Sequence, residues 1–414
     1  MGLSQYIGYS LKTRKGSAEL LVTLAWAYPL LYYVKAVVLR LPFGDVLADF
    51  VLPAIFLVLF IMGGRHVTKG FRPIDMVFFL FLISLYMTQY LLFPENTERI
   101  SEFFPPLIVS LIPMYFVGTA IDINQVYKPM YVMSIICVLL QALNTLYFES
   151  AERMAMTEEE LSEQMNVSYR ILPYVIFCFL GWLRKFDLVG FATSIIGLFL
   201  LVSFGSRGPV ACTLLFIVLY VVLYKAFRGK WFVVTFIGLL LIFALAYLEQ
   251  FFILMQGILA QAGLSTRIID LAVNEEVVSH VSGRDGVAEI LMRRLQDAPF
   301  LGYGIGGTWK FVGMYAHNIF LDVFISFGKV PGGLMLLAIF AVVFRGWRRC
   351  KTMEEKGFIL VLICCFAKLF VSYTVFSDPS WMLMLGFSVG VMRRNKTAKS
   401  SRMLKPQHAT IEYA

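Results

Sequence analysis

Charged side chains are scarce in this chain, since they make up only 15% of its 414 residues. In soluble proteins about a quarter of the residues are charged. The low charged share and the 59% of hydrophobic positions together exclude an ordinary soluble protein. Histidine is scarcer still, with four residues in the whole chain. One of them, His317, stands at the start of a long apolar run, and its role there is a central question for function.

The apolar residues fall into blocks of about 20, the length that a helix needs to cross roughly 30 Å of hydrocarbon. We therefore predict an all-α polytopic membrane protein with about twelve transmembrane helices and one long, partly helical extracytoplasmic loop. The predicted organisation is transmembrane helices 1–9 over residues 1–250, the loop over 251–317, transmembrane helices 10–12 over 318–392 and a basic cytoplasmic tail over 393–414. The blocks lie near 17–39, 45–63, 74–93, 103–120, 126–148, 169–186, 188–204, 209–227, 231–250, 318–344, 357–376 and 379–392.

Lysine and arginine collect in every second connection and at both termini, whereas the alternate connections are acidic. Because basic residues of short loops stay in the cytoplasm, this alternation predicts that both termini are cytoplasmic. Residues 203–209, 251–317 and 377–380 then face outward. The same pattern accounts for the net charge of +9 without nucleic acid. The six cysteines fall in predicted spans or on the cytoplasmic side, which excludes an outer disulfide and suits a bacterial plasma membrane.

Within the outer loop, "GRDGVAEILMRRLQDAPFLG" predicts a helix whose apolar face carries Val287, Ile290, Leu291 and Leu295. The turn "GYGIGGTW" follows it and matches GxGxxG literally. A dinucleotide site needs a strand before that motif and a βαβ unit around it, and this loop offers neither. The glycines instead predict a bend at which the backbone passes close to a span or a ligand.

Three side chains of the predicted outer face, Arg207, Arg284 and His317, are costly to hold at an apolar border. Each has a purely structural interpretation, because Arg207 could reach the headgroups, Arg284 could sit in water and His317 could cap the helix that follows. Together they form a chemical set. Two guanidiniums can hold a pyrophosphate through bidentate hydrogen bonds, and a neutral imidazole can take a proton from a sugar hydroxyl.

Three stretches, "SFGSRGPV", "GRDGVAEILMRRLQDAPFLGYGIGG" and "AHNIFLDVFISFG", resemble in their order the signatures of the O-antigen polymerase and O-antigen ligase superfamily. The resemblance covers roughly residues 200–330. The chain departs from the family pattern in lacking an aromatic residue shortly after Gly-Arg, and in placing Lys329 and Pro331 after the glycine of "FG".

The resemblance implies a metal-independent, inverting glycosyltransferase that needs no cofactor and uses a glycan on undecaprenyl pyrophosphate as donor. Arg207 and Arg284 would bind the pyrophosphate, and His317 would act as base on the acceptor hydroxyl. The supporting residues would be Ser206, Asn318, Asp322, Arg293 and Arg294. In keeping with this, no Asp-x-Asp cluster that could hold a metal occurs in the outer segments.

The function expected from the resemblance is a polymerase that joins lipid-linked repeat units at the outer face of the bacterial plasma membrane. Its partners would be the lipid-linked glycans, the bilayer, a chain-length regulator and a flippase, without nucleic acid. One alternative is a ligase that passes the glycan to a lipid A core or another acceptor. A second is a transporter or lipid-oligosaccharide flippase, for which charged residues inside predicted spans would speak: Lys35, Glu249, Lys329 and Lys368.

Overall fold

The computed structural model describes residues 14–27, 71–145, 158–203, 207–224 and 284–403, together with the single positions 61 and 257. Every regular element in these ranges is helical. The predicted spans 231–250 and, apart from position 61, 45–63 lie outside the described residues. The helices are α1 (Arg14–Trp26), α2 (Pro73–Leu92), α3 (Thr97–Pro106), α4 (Ile112–Ala120), α5 (Ile123–Asn144), α6 (Glu158–Lys185), α7 (Leu188–Ser203), α8 (Arg207–Tyr224), α9 (Arg284–Gln296), α10 (Gly307–Val312), α11 (Ile319–Phe327), α12 (Lys329–Arg349), α13 (Met353–Phe366) and α14 (Ser380–Met403).

Five segments of the described chain are helical, long and apolar enough to cross a membrane. They are Pro73–Leu92, Pro94–Ala120, Ile123–Asn144, Asn166–Lys185 and Lys329–Arg349. Two shorter apolar helices, Leu188–Val202 and Gly208–Tyr224, accompany them. Large apolar side chains such as Val77 and Leu91 of α2 are exposed on the outside of the bundle, at 60% and 79%. Such a surface suits lipid rather than water, and the chain is a helical membrane protein.

The segment 94–120 remains helical although Pro105, Pro106 and Pro113 interrupt its backbone hydrogen bonds. The structure accommodates them with a π-helical turn over Leu107–Leu111, between α3 and α4. A π-turn shifts the hydrogen-bond register by one residue, and neighbouring helices compensate for the lost bonds. The predicted span 103–120 is therefore present and begins nearer residue 94.

Small residues allow α14 and α4 to touch backbone to backbone in the centre of the bundle. A Cβ atom added at Gly118 of α4 would lie 2.5 Å from the carbonyl oxygen of Leu383 and 2.7 Å from the nitrogen of Phe387. From the other side, Gly386 faces the backbone of Tyr115, and a Cβ added at Gly390 would lie 2.6 Å from the carbonyl oxygen of Thr119. Close approach through small residues spaced four apart is a common packing mode of membrane helices.

One end of the described bundle, here called the basic end, collects the ends of α6, α8 and α12 and the starts of α2 and α5. Arg393 near the end of α14 makes a bidentate ion pair with Asp75, with N–O distances of 2.6 and 2.7 Å. Arg184 of α6 pairs with Glu354 of α13, and Trp347 of α12 donates a 2.6 Å hydrogen bond to the Tyr224 hydroxyl of α8. The described parts of the predicted basic connections thus meet at one end, as their alternation along the sequence requires.

The sequence predicts one span over 318–344, in which Lys329 and the following Pro331 allow a break, and the structure has two helices there. The short helix α11 ends at Phe327, and Gly328 turns the chain with a φ of +82° before α12 starts at Lys329. Lys329 is exposed, and its ammonium donates to the carbonyl oxygen of Gln296 at 3.2 Å, so it does not lie inside a span.

The last two predicted spans also have different bounds from those expected. The helical part of 357–376 is α13 and a 3₁₀ turn over Ala367–Phe370, after which residues 371–379 are not helical. In the last span, α14 runs beyond residue 392 to Met403. The change at 370 follows from Lys368, which pairs with Asp378 and holds the intervening chain as a loop.

Residues 302–328 form a closed loop, here called the clamped loop, because its two ends lie against each other. The amides of Tyr303 and Gly304 donate to the carbonyl oxygens of Ile325 and Ser326, at 2.8 and 3.1 Å. A Cβ added at Gly302, where φ is +71°, would lie 2.5 Å from the nitrogen of residue 328. The expected glycine bend is therefore present, and it occurs between helices rather than in a βαβ unit.

Candidate functional site

The predicted loop helix is confirmed as α9, and it packs in parallel with α11. Their shared apolar cluster consists of Val287, Leu291, Ala316, Leu321 and Ile325. Of the predicted apolar face, Ile290 is the exception because 44% of its side chain is exposed. At their far ends, Gln296 of α9 accepts the hydrogen bond from Lys329, the residue that starts the next helix after α11. The starts of the two helices, residues 284 and 319, consequently lie at the same end of the pair.

His317 and Asn318 form the entry to α11. Asn318 is the N-cap, and its side-chain oxygen accepts hydrogen bonds from the amides of Phe320 at 2.9 Å and Leu321 at 3.3 Å. The cap role that the sequence left open for His317 thus belongs to its neighbour. His317 itself is half-buried, has a left-handed φ of 53° and packs its ring 4.2 Å from that of Tyr315. A left-handed histidine is uncommon and often marks a functional site.

The body of α11 lies along the segment that links α13 to α14. The ring of Phe320 is 5.4 Å from that of Phe370, and the ring of Phe327 is 5.9 Å from that of Phe376. Between these contacts, Asp322 is buried and accepts a hydrogen bond from the hydroxyl of Thr374. Asp322, predicted as a supporting residue, thus ties α11 to this linking segment.

The start of α8, where Arg207 stands, borders the same segment from another side. Gly208 lies against the hydroxyl of Tyr169 and, at 3.2 Å for an added Cβ, against the side chain of Val371. Because Phe370 contacts α11 and Val371 contacts α8, the starts of both helices flank two adjacent residues. Ser206 and the side chains of Arg207 and Arg284 lie outside the described residues; the backbone of both arginines is described.

Arg293 and Arg294, the other predicted supporting residues, lie in the last turn of α9, at the opposite end of the helix from residue 284. Arg293 forms an exposed ion pair with Glu289 one turn earlier. The guanidinium of Arg294 lies 5.1 Å from the centre of the Phe311 ring. Such exposed contacts contribute little stability on their own.

The starts of α8, α9 and α11 thus lie in one region, with Arg207 and Arg284 at the first positions of α8 and α9 and His317 directly before the N-cap of α11. Helix starts carry partial positive charge, which favours a bound anion. Within the described residues, no three His, Cys, Asp or Glu side chains are grouped closely enough to hold a metal ion. The arrangement can hold a phosphate-bearing ligand beside an imidazole.

A cavity of about 320 Å³ adjoins this region, and sequence reasoning missed it. Lys368 and Asp378, both buried, meet in its wall as an ion pair with an N–O distance of 2.8 Å. The Lys368 ammonium also lies 5.0 Å from the ring centre of Tyr373, whose φ of 62° is left-handed. The wall further includes Trp26, Asn166, Tyr169, Arg170, Ser377 and Ser380.

A charge in a predicted span was the one available signal for this cavity. Lys368 lies in the predicted span 357–376. Its partner Asp378 is ten positions later, in the segment 377–380, for which the sequence predicts only that it faces outward. Of the charges that favoured transport, Lys329 is therefore at a helix start and Lys368 is paired, while Lys35 and Glu249 lie outside the described residues.

In comparisons with known proteins, neither any protein-family model nor any curated protein matches this chain.

Proposed function

We propose that this protein is a polymerase that joins undecaprenyl-pyrophosphate-linked oligosaccharide repeat units at the outer face of a bacterial plasma membrane. The observation that carries the proposal is the meeting of three helix starts, those of α8, α9 and α11, in one region. Each start bears a residue of the set Arg207, Arg284 and His317, although these residues are separated by up to 110 positions in sequence (317 − 207). With the basic end in the cytoplasm, that region faces outward.

Glycosyl transfer from a pyrophosphate needs stabilisation of the leaving group and a base for the acceptor hydroxyl, and this arrangement supplies both. The bond between the anomeric carbon and the pyrophosphate breaks as the acceptor oxygen bonds to that carbon from the opposite side, which inverts its configuration. The leaving pyrophosphate gains charge rather than needing a proton, and guanidiniums and helix starts stabilise that charge. The acceptor hydroxyl loses its proton, which the imidazole of His317 takes.

The position of His317 suits this role better than a structural one. Because Asn318 supplies the N-cap of α11, the helix does not need the imidazole for its start. The left-handed backbone at His317 costs of order 1 kcal/mol, which a glycine or asparagine would avoid. Arginine and histidine at helix starts also suit a lipid-anchored donor, whose headgroup stays at the surface while its tail remains in the bilayer.

The decisive experiment is elongation by the purified protein in lipid nanodiscs, supplied with lipid-linked repeat units and a chelator. Longer chains should appear on gels without added metal. His317→Ala should reduce the rate by roughly 10²- to 10⁴-fold, the usual contribution of a general base. His408→Ala removes another of the four histidines and should leave the rate unchanged. Elongation by His317→Ala at the parental rate between pH 6 and 8 would remove the base assignment.

The arginines make a separate prediction about geometry. Arg207→Lys and Arg284→Lys should each lower elongation by more than tenfold, because an ammonium cannot reproduce the bidentate guanidinium contact with a phosphate. Arg345→Lys, an exposed position at the basic end, makes the same chemical change and should have no effect. Parental activity of both outer lysine variants would mean that a positive charge at the headgroups is all that these residues provide.

A further inference from the structure

The cavity beside Tyr169 has the size and lining of a ligand site rather than of a packing defect. Its volume of about 320 Å³ lies at the lower end of the range for small-molecule sites. The wall is mostly apolar and aromatic, and it carries an amide, two serine hydroxyls, a guanidinium and a buried ion pair. Such a mixture, an apolar lining with a few polar groups, is typical of ligand sites, and its buried polar groups need hydrogen-bonding partners.

The ion pair in the wall also needs an explanation beyond stability. Lys368 and Asp378 are 8% and 2% exposed, so both charged side chains are largely removed from bulk water. Replacing such a pair by apolar side chains often leaves stability unchanged or raises it. A charged pair on the wall of a cavity does, however, present both a donor and an acceptor to the same ligand.

The lining favours a neutral ligand rich in hydroxyl groups. Asp378 pairs with Lys368, and the wall holds one guanidinium, that of Arg170, rather than the two that we assign to a pyrophosphate. Sugar hydroxyls both donate and accept hydrogen bonds, and the wall offers both kinds of partner: the carboxylate accepts, the ammonium donates, and the amide and hydroxyl groups can do both. The ring of Tyr373, fixed by its edge contact with Tyr169 at 5.2 Å, offers the rigid apolar face on which the C–H face of a sugar ring can lie.

The cavity borders the region of the proposed chemistry. Tyr169 forms part of its wall, and the hydroxyl of Tyr169 lies against Gly208, the residue that follows Arg207. On another side, the segment 371–378 separates the cavity from α11 and is tied to Asp322 through Thr374. A sugar in the cavity therefore sits next to the start of α8.

We propose that this cavity binds the terminal sugar of the acceptor chain and presents its hydroxyl to the reaction centre. The residues that line the cavity support a saccharide site. Its assignment to the acceptor rests on the proposed function. The cavity has room for a terminal sugar, and the remainder of the chain leaves toward the surface.

Direct binding tests the site without relying on catalysis. The probe is the soluble repeat-unit oligosaccharide of the host polysaccharide, titrated by calorimetry against the full chain in nanodiscs. Asn166→Trp, which fills the cavity from its rim, should weaken binding at least tenfold. Leu91→Trp adds the same ring at a position that is 79% exposed on α2 and should leave affinity unchanged.

A smaller substitution keeps the test independent of folding. The Ser380 hydroxyl is buried in the cavity wall without a hydrogen-bond partner in the described residues. Ser380→Ala should weaken oligosaccharide binding by roughly two- to tenfold, the value of one hydrogen bond. Ser101→Ala, an exposed serine on α3, is the matched control. No binding by the parent protein, or equal affinity of the parent and both cavity variants, would overturn the inference.

The two proposals fail in different ways. If the parent binds the oligosaccharide and Asn166→Trp does not, but neither protein elongates lipid-linked units, the saccharide site stands and the polymerase proposal fails. If the parent elongates and Asn166→Trp elongates with an unchanged KM for the acceptor, the polymerase proposal stands and the cavity is not the acceptor site.

Discussion

The close approach of α4 and α14 predicts that one chemical change has opposite effects at two glycines. The perturbation is Gly→Ala at Gly118, where the helices touch, and at Gly333 of α12, where an added Cβ would meet only a ring carbon of Phe324 at 3.9 Å. In a helix, alanine is favoured over glycine by about 0.5–1 kcal/mol. Gly333→Ala should therefore stabilise the protein slightly.

At Gly118 the same methyl group meets three backbone atoms. Its distance to the Leu383 carbonyl oxygen would be 2.5 Å, and ordinary contact begins near 3.4 Å, so α14 must move by about 0.9 Å (3.4 − 2.5). A gap of this size forfeits a quarter to a half of the dispersion energy of the atoms it separates. We expect a net loss of about 1–3 kcal/mol, the usual cost of overpacking.

The six cysteines provide the assay. All are buried and free in the folded protein, so a thiol-reactive dye reports unfolding as they become exposed: Cys137, Cys178, Cys212, Cys350, Cys364 and Cys365. Melting curves at one scan rate in detergent should give a lower midpoint for Gly118→Ala and an equal or higher midpoint for Gly333→Ala. Shifts of the same sign and size would refute the inferred backbone contact between α4 and α14.

Two further predictions concern polar contacts. The Tyr131 hydroxyl donates to Asp187 and holds the pKa of that carboxyl below its usual 3.8, so the contact stabilises the protein at neutral pH and is lost as pH falls through the lowered pKa. Asp187→Asn should therefore lower the melting midpoint at pH 7 and make less difference at pH 3; an equal difference at both values would exclude the carboxylate as the source. Lys368→Met leaves Asp378 as a buried unpaired charge and should cost about 3–5 kcal/mol, most of it recovered when Asp378→Leu is added. If Lys368→Met has the same melting midpoint as the parent protein, the two charges are not buried together.

The sequence predicts the helical membrane class and many of the described helices because hydropathy records how long an apolar run is. It does not record where a run folds back. Residues 318–344 form an apolar run that contains Asp322 and Lys329, and the break in it occurs at Gly328, whose positive φ lets α11 turn away from α12. Lys329 is the residue in the sequence that indicates this break, since it is the exposed first residue of α12.

For the candidate site as well, the sequence predicts one part and misses another. Its residue types could be proposed from sequence because arginine and histidine at the borders of apolar runs are chemically conspicuous. The N-cap role of Asn318 was within reach as well, because asparagine before an apolar helix is a familiar start signal. The cavity was not, because Tyr169, Lys368 and Asp378 become neighbours only through packing of α6, α13 and α14. No local pattern links residues that are 209 positions apart (378 − 169).

The closed base of the clamped loop has a consequence for how such a protein can diversify. Since residues 302 and 328 touch, the two ends of the loop have fixed positions relative to each other. The entropy of closing a loop rises only slowly with its length, so insertions at the exposed turn of Gly313 and Met314 cost the bundle little, whereas α11 is held to the bundle through Asp322. This turn, which ends three positions before His317, can therefore vary in length between proteins that keep both glycines. Such a change would alter which molecules reach the imidazole while α11 and the surrounding helices keep their packing.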